Sequence, residues 1–329
     1  MTITDYSQRW VNLASSKLGA SAVACSDDFF APMSRMLKEE PAIFIDDKYD
    51  DHGKWMDGWE SRRKREPGYD WCIVKLARPG VIHGIEIDTT HFTGNYAPAA
   101  SVEACFSAQD LPEDSQAWTQ IIEKSTLKGD ASRGFDVDND HLFTHAKLHI
   151  YPDGGVARFR VFAEPRVDWN QVGPEERIDL AAALNGGVAL ACNDQHYGHI
   201  RNLLAPGRGI NMGDGWETRR RREPGNDWVV IALAHPGIIK QIEIDTAHFK
   251  GNYPDRFDIR GAMHESEPTE FLVKDSEHWG LLLPESKLGP DQVHQFENEI
   301  IKHQQVSHIR MSIYPDGGVS RLRLYSLVN

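Results

Sequence analysis

The stretch DGWESRRKREPGYDW, Asp57 to Trp71, decides how this chain is read, because it returns as DGWETRRRREPGNDW, Asp214 to Trp228. The copy lies 157 residues on, and twelve of the fifteen positions are identical. No common local structure requires Trp-Glu, a basic run, Pro-Gly and Asp-Trp in that order. Duplication explains it, and a repeat constrains the fold before any single residue does. The same offset carries IEIDTTHFTGNY (Ile85 to Tyr96) onto IEIDTAHFKGNY (Ile242 to Tyr253). IYPDGGV follows at Ile150 to Val156 and again at Ile313 to Val319.

A length of 329 residues fits two domains, each long enough to bury its own core. We expect one repeat over 1–162, a linker over 163–178, where AEPRVDWNQVGPEERI has no partner in either copy, and the second repeat over 179–329. The net charge of −13 argues against nucleic acid as a partner, which needs a basic footprint. No apolar run is long enough to span a membrane, and the first ten residues lack the basic and apolar regions of a secretion signal. Cys25 and Cys192 are equivalent, whereas Cys72 faces Val229 and Cys105 has no counterpart. A disulfide framework would repeat with the fold, so reduced, buried thiols in a cytoplasmic protein are expected.

The local patterns are those of strands. WCIVKLARPG and WVVIALAHPG read as short buried strands closed by a Pro-Gly turn. IEID alternates apolar and acidic residues as a half-buried strand does. THAKLHIYPDGGVARFRVF and its copy read as two strands joined by a Pro-Asp-Gly-Gly hairpin. Helical periodicity is confined to the neighbourhoods of Ser7–Leu18 and Pro174–Leu184. The expected fold is all-β: two tandem repeats, each a jelly-roll β-sandwich of galactose-binding, discoidin-like type. Such a fold does not by itself fix a function.

Each motif has a bland and a functional reading. The run Arg62-Arg63-Lys64-Arg65 could be a solvated edge strand. Read as a strand, it puts Trp59, Arg63 and Arg65 on one face and Glu60, Arg62 and Lys64 on the other. A guanidinium near the core needs a partner, either an internal carboxylate (Glu60, Glu66 or Asp70) or a bound anion, and Arg suits a planar carboxylate. His91 and His248, just past a strand end, are structural or catalytic. Asn95 and Asn252 form turns or bind a ligand. His141, His145 and His149 are spaced by four, but only His145 recurs, as His308, so the metal signal is weak.

Taken together, G-W-E-[ST]-R-R-[KR]-R, D-W, D-T-x-H-F-x-G-N-Y and Y-P-D-G-G-V-[AS]-R-[FL]-R, all in duplicate, resemble the allantoicases. The resemblance covers nearly the whole chain. It implies a duplicated jelly-roll, a homo-oligomer that is often a hexamer, and hydrolysis of allantoate to ureidoglycolate and urea in purine (allantoin) catabolism. The site roles are inferred from the chemistry of that substrate. Glu60 and His91, with Glu217 and His248, are the acid–base candidates. Arg63 and Arg65, with Arg220 and Arg222, would clamp the carboxylate, and Asn95 and Asn252 would contact the ureido groups. No cofactor is required, though a divalent metal polarising a ureido oxygen is compatible. The alternative is a non-catalytic carbohydrate- or small-ligand-binding tandem module. Duplication of Glu60, His91 and the arginines disfavours it, because lectin loops rely more on aromatic platforms.

Overall fold

The computed structural model describes residues 6–7, 9–113, 115–173 and 176–327. The chain divides into two compact units, Met1–Arg166 and Val167–Asn329. The first is built from β1 (Val11–Asn12), β2 (Ser21–Cys25), a small hairpin β3 (Tyr49–Asp50) and β4 (Gly53–Lys54), β5 (Trp59–Glu60), β6 (Asp70–Asp88), β7 (Ala99–Cys105), β8 (Thr119–Thr126), β9 (Ser132–Asp136), β10 (Leu142–Tyr151), β11 (Gly155–Val156) and β12 (Arg158–Pro165). The long strand β6 belongs to two layers. Its first part, Asp70 to Lys75, pairs with β2 and β10, and β10 continues to β7 and β8. Its last part pairs with β12 and β9, and β12 continues to β1. All these pairings are antiparallel, and the layers enclose Val74, Ile85, Ile87, Val102, Leu148, Phe159 and Val161. A strand that bends from one sheet into the other makes the corner of such a sandwich.

The second unit repeats the plan. Its strands are β13 (Arg177–Asp179), β14 (Val188–Cys192), β15 (Trp216–Glu217), β16 (Asp227–Asp245), β17 (Arg256–Ala262), β18 (Gly280–Lys287), β19 (Val293–Phe296), β20 (Val306–Tyr314), β21 (Gly318–Val319) and β22 (Arg321–Leu327). Here β16 is the shared strand, pairing with β14 and β20 in one layer and with β19 and β22 in the other. A short helix, Thr269–Asp275, precedes β18.

Several local expectations change. Pro79-Gly80 and Pro236-Gly237 do not close a strand; β6 and β16 run through them. The Pro-Asp-Gly-Gly segments are not hairpins. β10 and β12 lie in different layers, so the segment arches between layers, and its Gly155-Val156 pairs with Glu60-Trp59 instead. Glu86 and Asp88 are buried, Glu86 held by Arg160 at 3.0 Å and by the Ser132 hydroxyl at 2.7 Å. Ala163–Pro165 of the expected linker extend β12, and Arg177 and Ile178 begin β13. Ser7 is helical, and the rest of the two patterns resolves into short strands and 3-10 turns, Val11–Asn12 with Ser16–Leu18 and Arg177–Asp179 with Ala183–Asn185. Residues 8, 174 and 175 of those stretches lie outside the described residues. The four cysteines are free; Cys72 and Cys105 are buried, while Cys25 and Cys192 are half-buried.

Candidate active site

Three duplicated motifs meet at one end of each unit because two glycines let an aromatic ring in. Phe92, fully buried, lies where a Cβ on Gly155 would be 2.0 Å from its ring and one on Gly58 would be 2.9 Å away. Phe249 stands in the same relation to Gly318 and Gly215, at 2.0 and 2.8 Å. The neighbouring glycines, Gly154 and Gly317, have φ of 128° and 140°, a region that side chains avoid. Thus D-G-W, H-F-x-G-N and P-D-G-G interlock. Beneath them lies a buried ion pair, Arg158 with Asp57 at 2.6 Å and Arg321 with Asp214 at 2.7 Å. Arg158 also donates to the carbonyls of Glu40, Pro41, Asp57 and Ala157, which holds the preceding loop against the sandwich.

This packing brings Glu60 and Asn95 together. The Asn95 amide donates to Glu60 Oε1 at 2.8 Å, while the Asn95 carbonyl accepts from the N–H of Gly155 at 2.7 Å. Burial raises the Glu60 carboxyl above its ordinary range, and the Asn95 hydrogen bond opposes that rise only in part. In the second unit Asn252 donates to Glu217 in the same way, and the N–H of Gly318 bonds the Asn252 carbonyl at 2.8 Å. The asparagines therefore serve both readings, forming the turn and touching the acid.

The histidines are placed differently. His91 and His248 have φ of 69° and 72°, and their N–H groups bond Asp130 and Asp291 at 2.8 and 2.7 Å. Their Nε2 atoms lie 3.2 Å from the Ala42 carbonyl and 2.7 Å from the Gly209 carbonyl. A carbonyl only accepts, so Nε2 carries the hydrogen and Nδ1 holds the lone pair of the neutral ring. Each histidine thus pins the loop before D-G-W, and neither is bonded to its unit's glutamate.

The basic runs are loops, not strands, since β5 ends at Glu60 and β15 at Glu217. Trp59 is fully buried whereas Arg63 and Arg65 are exposed, so they do not share a face. Arg62 pairs with Asp27 and Arg219 with Asp194, each through Nε at 2.7 Å. Burial pushes Asp27 and Asp194 up, but the bonds from Arg62 and Arg219 outweigh it and hold both carboxyls below the usual range. Lys64 reaches Asp70 at 2.7 Å, and Arg221 reaches Asp227 at 3.4 Å. Ser26 and Asn193 brace those same carboxylates at 2.8 and 2.9 Å. Arg63, Arg65, Arg220 and Arg222 have no hydrogen-bond or ion-pair partner among the described residues. In the second unit a cleft of about 320 Å³ opens over the run, lined by Arg219 to Arg222 with Asn193, Asp194, Glu223 and Asp227. Glu217, Asn252 and His248 do not line it. Three residues of chain span at most about 10 Å, so Glu217 and Arg220 can still approach one small molecule from two sides.

Asp70, one of the internal carboxylates expected to partner the basic run, does so through Lys64, whereas sequence reasoning missed Asp27, Asp153 and the pair Asp57–Arg158, with their second-unit equivalents. The available signal was their recurrence in both copies. Among the described residues, no three or more His, Cys, Asp and Glu side chains are grouped to hold a metal ion. His145 bonds Thr144 and the Asp110 carbonyl, and His149 bonds Glu103, so the histidines spaced by four serve separate partners.

The fold and site define a class: a tandem of two antiparallel β-sandwiches, each with an acid–amide pair beside an arginine loop. The model of the allantoicase repeat matches the chain twice, over residues 11–166 and 178–329. The chain is 54% identical over 325 residues to probable allantoicase 1 of Burkholderia mallei, covering 99% of this chain and 96% of that one. It is also 54% identical over 321 residues to a probable allantoicase of Ralstonia nicotianae, covering 98% and 96% of the two chains. The crystal structure of allantoicase from Saccharomyces cerevisiae, 38% identical, superposes with a TM-score of 0.83 over 99% of this chain and 98% of its own. A second solved allantoicase, 37% identical, gives 0.84 over 99% of both. The chain belongs to the allantoicase family.

Proposed function

We propose that each unit's acid–amide pair and arginine loop form a site for allantoate, which this chain hydrolyses to ureidoglycolate and urea. The observation that carries the site assignment is the duplicated Glu–Asn contact three residues from unpaired arginines. Arg63 and Arg65, or Arg220 and Arg222, grip the substrate carboxylate. Asn95 or Asn252 holds one oxygen of the glutamate, which leaves the other to carry a proton. Burial keeps part of Glu60 protonated where an ordinary carboxyl would be charged. The full-length match to allantoicases disfavours a non-catalytic binding module.

Release of intact urea requires cleavage between the central carbon and a ureido nitrogen. The glutamic acid protonates that nitrogen, and the C–N bond breaks as the remaining ureido nitrogen supplies its electron pair, giving an acyl-imine-like intermediate. Water then adds to the central carbon and loses its proton to the glutamate, or to Nδ1 of His91 or His248. The arginines stay charged and give up no proton. In oxygen-18 water the label enters the hydroxyl of ureidoglycolate and not urea. Labelled urea, or ammonia as the first nitrogen product, would contradict this bond assignment. We take the enzyme to be a cytoplasmic homo-oligomer. The exposed apolar side chains Ile43, Phe44 and Tyr49 support a self-association surface, which light scattering checks. Among the described residues no helix is long and apolar enough to cross a membrane.

A further inference from the structure

The arginine loops are held at alternate residues. In the first unit Asp27 accepts from the backbone N–H of Arg62 at 2.8 Å and from its Nε at 2.7 Å. Asp153, in the arch, accepts from the backbone N–H of Lys64 at 2.8 Å. The second unit repeats both: Asp194 with Arg219 at 3.0 and 2.7 Å, and Asp316 with the N–H of Arg221 at 2.8 Å. The indoles of Trp59 and Trp216 donate to the backbone carbonyls of Asp27 and Asp194 at 2.9 and 2.8 Å, tying each aspartate's loop to the strand before the run. Between the fixed points stands the unpaired Arg63 in one unit and the unpaired Arg220 in the other.

Planar peptides leave two soft torsions per residue, so fixing the backbone at one residue and at the second one after it fixes where the intervening side chain emerges. We propose that Asp27, Asp153, Asp194 and Asp316 are positioning residues for the carboxylate clamp of allantoate, aiming Arg63 and Arg220 without touching substrate. This rests on the reading that those arginines hold the substrate carboxylate. The two kinds of aspartate do different work. Asp153 and Asp316 offer one oxygen to one neutral N–H, which an asparagine oxygen replaces. Asp27 and Asp194 use both oxygens, one on a charged guanidinium, and an amide would turn an NH2 group toward donors.

The test uses the full chain with equivalent residues changed together, following urea release against allantoate concentration. Asp153→Ala with Asp316→Ala raises KM about tenfold or more with kcat within about threefold, because binding that is uniform through the reaction is lost. Asp153→Asn with Asp316→Asn restores KM to within about twofold of the unaltered enzyme, since the N–H keeps its acceptor. Asp27→Asn with Asp194→Asn behaves like the alanine pair. An alanine pair with unaltered KM, or a parallel fall in kcat that asparagine does not rescue, overturns the proposal. If the alanine pair does not fold, the nearly isosteric Asp27→Asn, Asp194→Asn variant decides by the same KM criterion. Arg63→Ala with Arg220→Ala is the control. If it leaves KM unaltered, the clamp reading fails and the positioning role with it. If it raises KM while the aspartate variants do not, the positioning role alone fails.

Discussion

Glu60 owes its raised carboxyl to burial, and Asn95 restrains that rise by donating a hydrogen bond that favours the charged form. A general acid works while protonated, so activity falls as pH climbs through its pKa. Removing the restraint moves that pKa further up. Asn95→Ala, measured in a Glu217→Gln background so that only the first unit's acid operates, should shift the alkaline limb of kcat to higher pH. A limb that stays in place, or moves down, would separate Asn95 from the acid. At this scale the sequence marked Glu60, Asn95 and the arginines but misjudged their surroundings. Treating Arg62 to Arg65 as a strand assigned faces by alternation, whereas the loop is organised by carboxylates 35 and 89 residues away in sequence. Local periodicity carries no information about such partners. Likewise His91 owes its place to the Ala42 carbonyl, 49 residues away.

The strand shared between layers is the element that places the site. Its Pro-Gly pair signalled a turn, yet β6 continues, with the Ala77 N–H bonded to the Leu13 carbonyl at 2.9 Å and the Pro79 carbonyl accepting from the Arg166 N–H at 2.8 Å. β10 pairs with β6 up to Lys75 and resumes at Gly80, and β12 pairs from Gly80 onward. Pro79 therefore falls in the crossing between sheets, where its missing N–H costs nothing. Gly80 is needed for close approach. A Cβ there would lie 2.6 Å from Leu13 Cδ1 and 2.8 Å from the Glu164 carbonyl, and at Gly237 it would lie 2.5 Å from Leu180 Cδ1. Gly80→Ala and Gly237→Ala should each destabilise by about 1–3 kcal/mol, the usual cost of overpacking. Thermal melting reads this directly, and an unchanged midpoint in both variants would mean the crossing is looser than the packing indicates. The Pro-Asp-Gly-Gly arch teaches the same point. Its turn chemistry was legible, but whether the flanking strands pair depends on their partners, β6 and β7 for β10 and β6 and β1 for β12, not on the turn.

For the whole molecule, repetition was the signal that local pattern could not supply. Two copies of every motif fixed the two-unit architecture, and what recurs is also what meets in space: Glu60 with Asn95 and Glu217 with Asn252, Asp27 with Arg62 and Asp194 with Arg219. The units differ where the copies diverge. The first carries the longer loop with Ile43, Phe44 and Tyr49 exposed and Lys38 bonded to Asp57 at 2.5 Å. Unequal units would turn over unequally, so the acid in each must be removed separately and together. The central claim is that these glutamates are the acids that release urea. The most direct measurement is kcat for urea release from allantoate by Glu60→Gln, Glu217→Gln and the double variant, each shown to be folded. The double variant should lose about 100-fold or more, the lower range for a positioned general acid, while each single variant retains the other unit's share. A folded double variant that releases urea at the unaltered rate would contradict the account.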